Sequence, residues 1–191
     1  MSDADHRNLD DRALIGRLRA GEAAAFEHVY ETEKATLYGF LLRLCRDPHT
    51  AADLFQNVWL KLARYAARLR DDSNVRAWLL TVARREYIGF RRAQALDISR
   101  LLVLDLARAS AEPSGPEADL ALSTALGRLA DADREVLLLG ASGLEPEVIA
   151  DTLGVSGAAL RQRLSRARRR LAALLLDDER SDPEAAPKGA R

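Results

Sequence analysis

The sequence predicts an all-α protein of two small helical domains joined by a flexible linker, and three observations carry that reading. Ala, Leu, Arg, Asp and Glu dominate while β-branched and aromatic residues are scarce, and straight side chains lose little rotamer freedom in a helix. Apolar residues recur at three- and four-residue steps in two long blocks. Between the blocks lies AEPSGPEAD, an acidic, Pro- and Gly-bearing stretch with the chemistry of a linker. With 191 residues, 48% of them hydrophobic, the chain has enough apolar side chain for one ordinary core or two small ones.

Residues 1–21 form a polar N-terminal segment whose start, MSDADHRNLDDRAL, lacks the apolar run of a signal peptide. From Glu22, AAAFEHVYETEKATLYGFLLRLC sets Phe26, Val29, Tyr30, Leu37, Leu41 and Leu44 at helical spacing, with a weak stretch from Thr32 to Thr36. Asp47-Pro48 breaks the pattern. Thr50 is then the expected N-cap of the next helix, with Asp53 three residues on in the manner of a capping box, and Phe55, Val58, Trp59, Leu62 and Tyr65 mark its buried face.

After the polar ARLRDDSN comes VRAWLLTVARREYIGFRRAQAL, in which Trp78, Leu79, Val82 and Tyr87 face inward while Arg84, Arg85, Arg91 and Arg92 cannot all do so. These helices make a first domain over 22–97, followed by a linker over 98–119 that includes the apolar LLVLDL. The second domain, 120–176, holds helices near 118–129 and 132–140 and then GLEPEVIADTLGVSGAALRQRLSRARRRLAALLL. There Val148, Ile149 and Leu153 belong to a short helix, Gly154 suits a left-handed C-cap, and Ser156 can cap the helix that follows. Leu160, Leu164, Ala167, Leu171 and Leu174 form the inner seam of that last helix, which leaves its arginines outside. Residues 177–191 read as a disordered tail.

Charge balances across the chain, 29 basic against 29 acidic residues, but not along it: 73–100 and 161–170 are basic, while 1–33 and 101–160 are acidic. A helix, tight turn and helix whose second member opens with Gly157, Ala158 and Ala159 and carries Arg161, Gln162, Ser165 and Arg166 has what a DNA recognition helix needs. Small residues let the backbone approach the groove, and polar side chains reach base edges and phosphates. The alternative is a solvated face filled by a good helix former. REYIGFRR interleaves aromatics with arginines, which suits single-stranded nucleic acid, although Tyr87 and Phe90 are equally placed to be core. No nucleophile constellation, phosphate loop or metal cluster competes: Cys45 is the lone cysteine, and His6, His28 and His49 are scattered. The expectation is a non-enzymatic protein with no cofactor, no metal and no membrane insertion, resident in the cytoplasm.

AAFEHVY, DLFQNVWLKL, WLLTVARREYIGFRR, LADADREVLLL, GLEPEVIADTLGVS and ALRQRLSRARRRL, taken in order, resemble regions two and four of the small extracytoplasmic-function (ECF) sigma factors of bacterial RNA polymerase, within the sigma-70 superfamily. The resemblance runs from about Glu22 to Leu176. It implies that Asp53, Leu54, Gln56 and Asn57 grip the polymerase clamp coiled coil and that Arg68, Asn74, Trp78, Arg84, Arg85, Arg91 and Arg92 lie at the minus-ten element. It also implies that Ala159, Arg161, Gln162, Ser165 and Arg166 read or clamp the minus-thirty-five duplex, while the rest of region four meets the polymerase flap. Promoter DNA, core RNA polymerase and an anti-sigma factor are the implied partners. The chain departs from the family pattern at Asn57, Arg85 and Gly89, and this keeps open a second reading: a sigma-like interaction module that sequesters an anti-sigma factor or polymerase without opening DNA. A stand-alone helix-turn-helix repressor would leave DLFQNVWLKL unexplained.

Overall fold

The computed structural model describes residues 12–101 and 117–181, which are helical and contain no strand. The chain divides into two compact units, 1–110 and 111–191. In the first, helix α1 (12–19) is followed by α2 (Ala23–Cys45), α3 (Pro48–Tyr65), a single 3₁₀ turn (Ala66–Arg68) and α4 (Val75–Leu101). Helices α2, α3 and α4 pack on one another. Ile15, Leu18, Leu37, Leu41, Leu44, Val58, Leu62, Leu79 and Leu80 are the sealed centre of this core.

Helix α1 was not expected, since the sequence places it inside a polar segment. Its two core contributions, Ile15 and Leu18, stand three residues apart and are fully buried, but eight residues give too short a periodic signal to outweigh the acidic surroundings. It stops at Gly21, whose φ of 76° is left-handed.

The entry to α3 also differs. Asp47, not Thr50, is the N-cap: its carboxylate accepts from the Thr50 amide at 2.8 Å and the Thr50 hydroxyl at 2.5 Å, and Pro48 takes the first turn. Proline loses nothing there, because the amide it lacks would be unpaired in any case. These hydrogen bonds hold the Asp47 carboxyl below the usual carboxylate range.

The buried face of α3 is Ala51, Leu54, Val58 and Leu62 rather than the aromatic stripe. Phe55 and Trp59 are half-buried and Tyr65 is exposed. On α2, likewise, Tyr30 is 40% exposed and Phe26 half-buried. The rings instead close the α2–α3 seam from outside: Tyr30 lies 5.0 Å from Trp59, Phe55 lies 5.8 Å from Trp59, and Tyr38 meets Phe55 edge-on at 5.7 Å. The weak stretch of α2 stays helical with Glu33 at a core position, because Arg76 of α4 donates from Nε to both of its oxygens, at 3.1 and 2.8 Å. That pairing raises the Arg76 pKa. A second ion pair, Lys61 with Glu86, joins α3 to α4.

In the second unit α5 (Glu117–Arg128), α6 (Asp131–Gly140), α7 (Pro146–Leu153) and α8 (Gly157–Ser181) follow in order, and α5, α6 and α7 all pack against α8. The α5–α6 corner is built around Arg134, which is 4% exposed. It donates to the carbonyls of Leu126, Gly127 and Leu129 at 2.8, 3.2 and 2.9 Å and to the Asp131 carboxylate at 3.1 Å, so it satisfies the acceptors that the end of α5 leaves open. Helical structure extends past three of the expected boundaries. Helix occupies 98–101 and 117–119, at either end of the expected linker, and α8 runs on to Ser181 where a disordered tail was expected to start at 177. No glycine or proline interrupts the chain between Gly157 and Pro183. The remainder of LLVLDL and of the tail lies outside the described residues.

Candidate nucleic-acid interface

The approach to α8 is set by local chemistry. Gly154 ends α7 with φ 65° and ψ 40°, its amide donating back to the carbonyls of Ala150 and Asp151. Ser156 then caps α8, its hydroxyl accepting from the Ala159 amide at 3.2 Å. Behind α8, a Cβ on Gly140 of α6 would lie 2.9 Å from Leu164 Cδ2, so a glycine permits the close approach of these two helices. Leu160 and Ala167 are buried, and Leu164, Leu171 and Leu174 are half-buried.

Outside this seam Arg161, Gln162, Arg163, Ser165, Arg166, Arg168 and Arg169 are all exposed, with Ala159 half-buried at the first turn. Arg161, Ser165 and Arg168 follow one another at i, i+4 and i+7, and Gln162, Arg166 and Arg169 run beside them. Arg170 differs from the rest of the run. It is ion-paired with Asp133 in the first turn of α6, which makes it a clamp between α8 and α6. The arginine cluster thus divides into one structural member and an outward-facing majority.

In the first unit the segment between α3 and α4 is tied down at several points. Leu69 is buried, the Ser73 amide donates to the Arg70 carbonyl at 3.0 Å, and the Asn74 side chain accepts from the Ala77 amide at 2.9 Å, capping α4. Asp71 pairs with Arg19 of α1, and Arg70 with Asp72 at 3.1 Å. Sequence reasoning had no access to the Arg19–Asp71 contact, which joins residues 52 positions apart. Arg68 is exposed and lies 5.6 Å above the ring of Tyr65. Along α4, Trp78 and Arg84 are half-buried, while Arg85, Arg91 and Arg92 are exposed. Trp78, Arg85 and Arg92 are seven apart and share one stripe; Arg84 and Arg91 share the next. Tyr87 is core, 5% exposed, with Arg91 6.0 Å above its ring. Phe90 is half-buried.

Of the four residues expected at the polymerase, Asp53, Gln56 and Asn57 are exposed on α3 and Leu54 is buried at 5%. Leu54 is one turn from both Ala51 and Val58 and belongs to the packing face, so its place is beneath the strip rather than on it. No His, Cys, Asp or Glu cluster among the described residues could hold a metal ion. Cys45 is half-buried, and its partial desolvation, together with the nearby Asp47 charge, pushes its thiol up to about 12.

Comparison with known proteins follows the same division. The Sigma-70 region 2 model matches residues 29–96, and the Sigma-70, region 4 model matches residues 119–171. The chain is 30% identical over 163 residues to RNA polymerase sigma factor CarQ of Myxococcus xanthus, covering 83% of this chain and 94% of CarQ. It is 28% identical over 95 residues to ECF RNA polymerase sigma factor SigK of Mycobacterium bovis, covering 49% of this chain and 51% of SigK. Among solved structures it is similar to the sigma factor RpoE in complex with the anti-sigma factor NepR from Bartonella quintana, with TM-score 0.70 and 27% identity over 79% of this chain and 96% of that one.

Proposed function

Because the chain belongs to the sigma-70 family, in its ECF group, we propose that it is a promoter-specificity subunit that binds core RNA polymerase, engages the minus-thirty-five and minus-ten elements, and is held inactive by an anti-sigma factor. The observation that carries this reading is that each unit offers its own exposed basic helix face, on α8 and on α4. One such face lies on the second helix of a helix-turn-helix, and the other adjoins a constrained loop.

Ala159, Arg161, Gln162, Ser165 and Arg166 enter the major groove of the minus-thirty-five duplex, where guanidinium and amide groups pair with base edges and phosphates. Arg68, Asn74, Trp78, Arg84, Arg85, Arg91 and Arg92 serve the opened minus-ten strand. Of these, Asn74 acts as the helix cap that holds the loop, and Trp78 gives a half-buried aromatic edge for a base. Asp53, Gln56 and Asn57 meet the clamp coiled coil, with Leu54 supporting them from the core, and the remainder of the second unit meets the flap. The protein contributes no metal or nucleotide chemistry. Its work is binding: stabilising separated strands relative to duplex lowers the cost of opening. An anti-sigma partner is supported by the RpoE relative, which was solved with one.

The test is run-off transcription with the full chain and core polymerase on fragments of its own genome, followed by mapping of the start sites. Specific transcripts that weaken steeply with salt are expected, because phosphate contacts release counterions. Tight core binding with no transcript from any fragment would reject the proposal in favour of the interaction-module reading raised by Asn57, Arg85 and Gly89.

A further inference from the structure

Gly89 sits in the middle of α4, where glycine is the worst-tolerated residue after proline. Internal reasons for a helical glycine are a special backbone angle or a close neighbour, and neither applies here. Gly89 is absent from the positive-φ glycines, and a Cβ built on it would find nothing within 4 Å. The protein therefore keeps an exposed patch of bare helix backbone that its own packing does not use.

What flanks that patch is specific. Arg85 stands one turn before Gly89 and Arg92 one turn after it, on the same stripe of α4, about 6 Å and 4.5 Å away along the axis. Both arginines are exposed, and neither has an ion-pair partner among the described residues. Trp78 lies further along the same stripe. The result is a notch with a cation at each end, a bare backbone floor, and an aromatic edge beyond.

We propose that this notch seats a phosphodiester of the separated promoter strand, with Arg85 and Arg92 closing on its oxygens and the missing side chain at Gly89 letting the strand approach the helix. A bare backbone is the usual provision where a ligand must come close. The two side chains leave the helix about 10 Å apart along its axis, and both are long enough to reach a phosphate lying over Gly89 from opposite ends. The inference rests on the reading of α4 as the strand-contacting helix and adds to it a residue with no polar side chain.

An internal control exists. Gly16 of α1 is also helical with nothing near its Cβ position and is also bracketed by arginines, Arg12 and Arg19, but the Arg19 guanidinium is engaged by Asp71. Gly16 has no strand to admit.

The experiment compares G89A, G89L and G16A in the full chain. All three should raise the melting midpoint of the first unit, by about 2–8 °C, because each replaces a helical glycine with a better helix former in open space. The holoenzyme is then bound to a promoter fragment in two forms, with and without a single-stranded minus-ten tail. The gain in affinity from the tail should fall about threefold in G89A, where a single methyl crowds the strand, and about tenfold or more in G89L, the size of one lost hydrogen bond to a charged group. The salt dependence of that gain should drop by about one phosphate equivalent, and G16A should match the wild type. A gain preserved in G89L overturns the proposal, as does destabilisation by G89A, which would reveal an internal role for the glycine. Weakened core binding with the gain preserved would make the notch a protein seat and also overturn it. A wild type that gains nothing from the tail would reject the strand-contact reading of α4 and the notch together.

Discussion

Replacing Arg134 with alanine should strongly destabilise the second unit and leave the first intact. The side chain is buried and donates to three main-chain carbonyls and one carboxylate, at 2.8 to 3.2 Å. Truncation removes four hydrogen bonds at the α5–α6 corner, after which the Leu126 carbonyl keeps a replacement, the Leu129 amide at 3.3 Å, and a buried acceptor that loses its donor costs about 1–3 kcal/mol. Water entering the vacated space recovers part of this, so a net loss of about 3–5 kcal/mol is expected, similar to breaking a buried charged pair. A unit of this size is stable by roughly 3–10 kcal/mol, so the substitution removes a large share of it. Lysine should rescue little, since one ammonium cannot span three diverging carbonyls.

The amino-acid distribution makes the assay selective. Both tryptophans, Trp59 and Trp78, lie in the first unit, and every Phe and Tyr of the chain lies before residue 91. Urea titration followed by tryptophan fluorescence therefore reports the first unit alone, while far-ultraviolet circular dichroism reports both. R134A should lower the midpoint of the dichroism component missing from the fluorescence curve by about 1–3 M, with the fluorescence transition unmoved. Equal shifts in both curves, or none in either, would refute the assignment of Arg134 as the clasp of the α5–α6 corner.

Gly154→Ala forces an alanine to φ 65° and should cost about 1–2 kcal/mol in the same dichroism component, with weaker duplex binding through α8. Asp47→Ala should destabilise the first unit by about 1 kcal/mol, whereas Asp47→Asn keeps a capping oxygen and should cost a few tenths. Because the Asp47 pKa is lowered on folding, the stability it adds is fully present above its unfolded value of about 3.9 and is lost as pH falls through the lower folded value. Fluorescence-monitored stability of D47N should therefore converge on that of the wild type in acid; a constant gap from pH 7 to pH 3 would contradict the cap. The Cys45 thiol, pushed up to about 12, should react with iodoacetamide at pH 8 at least about tenfold more slowly in the native protein than in urea, since the thiolate is the nucleophile. Equal rates would show that the thiol is neither buried nor shifted.

The parts of this molecule that were legible in its sequence are those whose causes are local. The α7–α8 turn is written in Gly154 and Ser156 within three residues, and the inner seam of α8 follows from a leucine and alanine spacing that no distant contact needs to explain. Where partners are distant or are main-chain atoms, the sequence carries no mark. Arg134 reads as one more surface charge in DADREVLLL because its ligands are carbonyls, which every residue has. Glu33 reads as a polar interruption of α2 because Arg76, which makes it tolerable, lies 43 positions away. The aromatic residues misled in the opposite direction. Hydrophobicity assigns Tyr30, Phe55 and Trp59 to the core, yet large rings can stabilise a helix pair from the rim, where edge-to-face contacts form without full burial.

The same distinction bears on the charge pattern. The sequence singles out Arg161 and Arg166 of α8 for duplex contact but says nothing of an internal partner for Arg170, which packing pairs with Asp133. On α4 spacing alone made Gly89 a defect, while packing shows that the defect satisfies nothing inside the protein. A positive side chain has a structural use when a carboxylate or carbonyl answers it from within, as at Arg76, Arg134 and Arg170. Arg85, Arg92, Arg161 and Arg166 have no such answer among the described residues. A protein of zero net charge that answers some arginines internally and leaves these on two helix faces concentrates its positive charge there, and these are the two faces to which the proposed function assigns promoter contact.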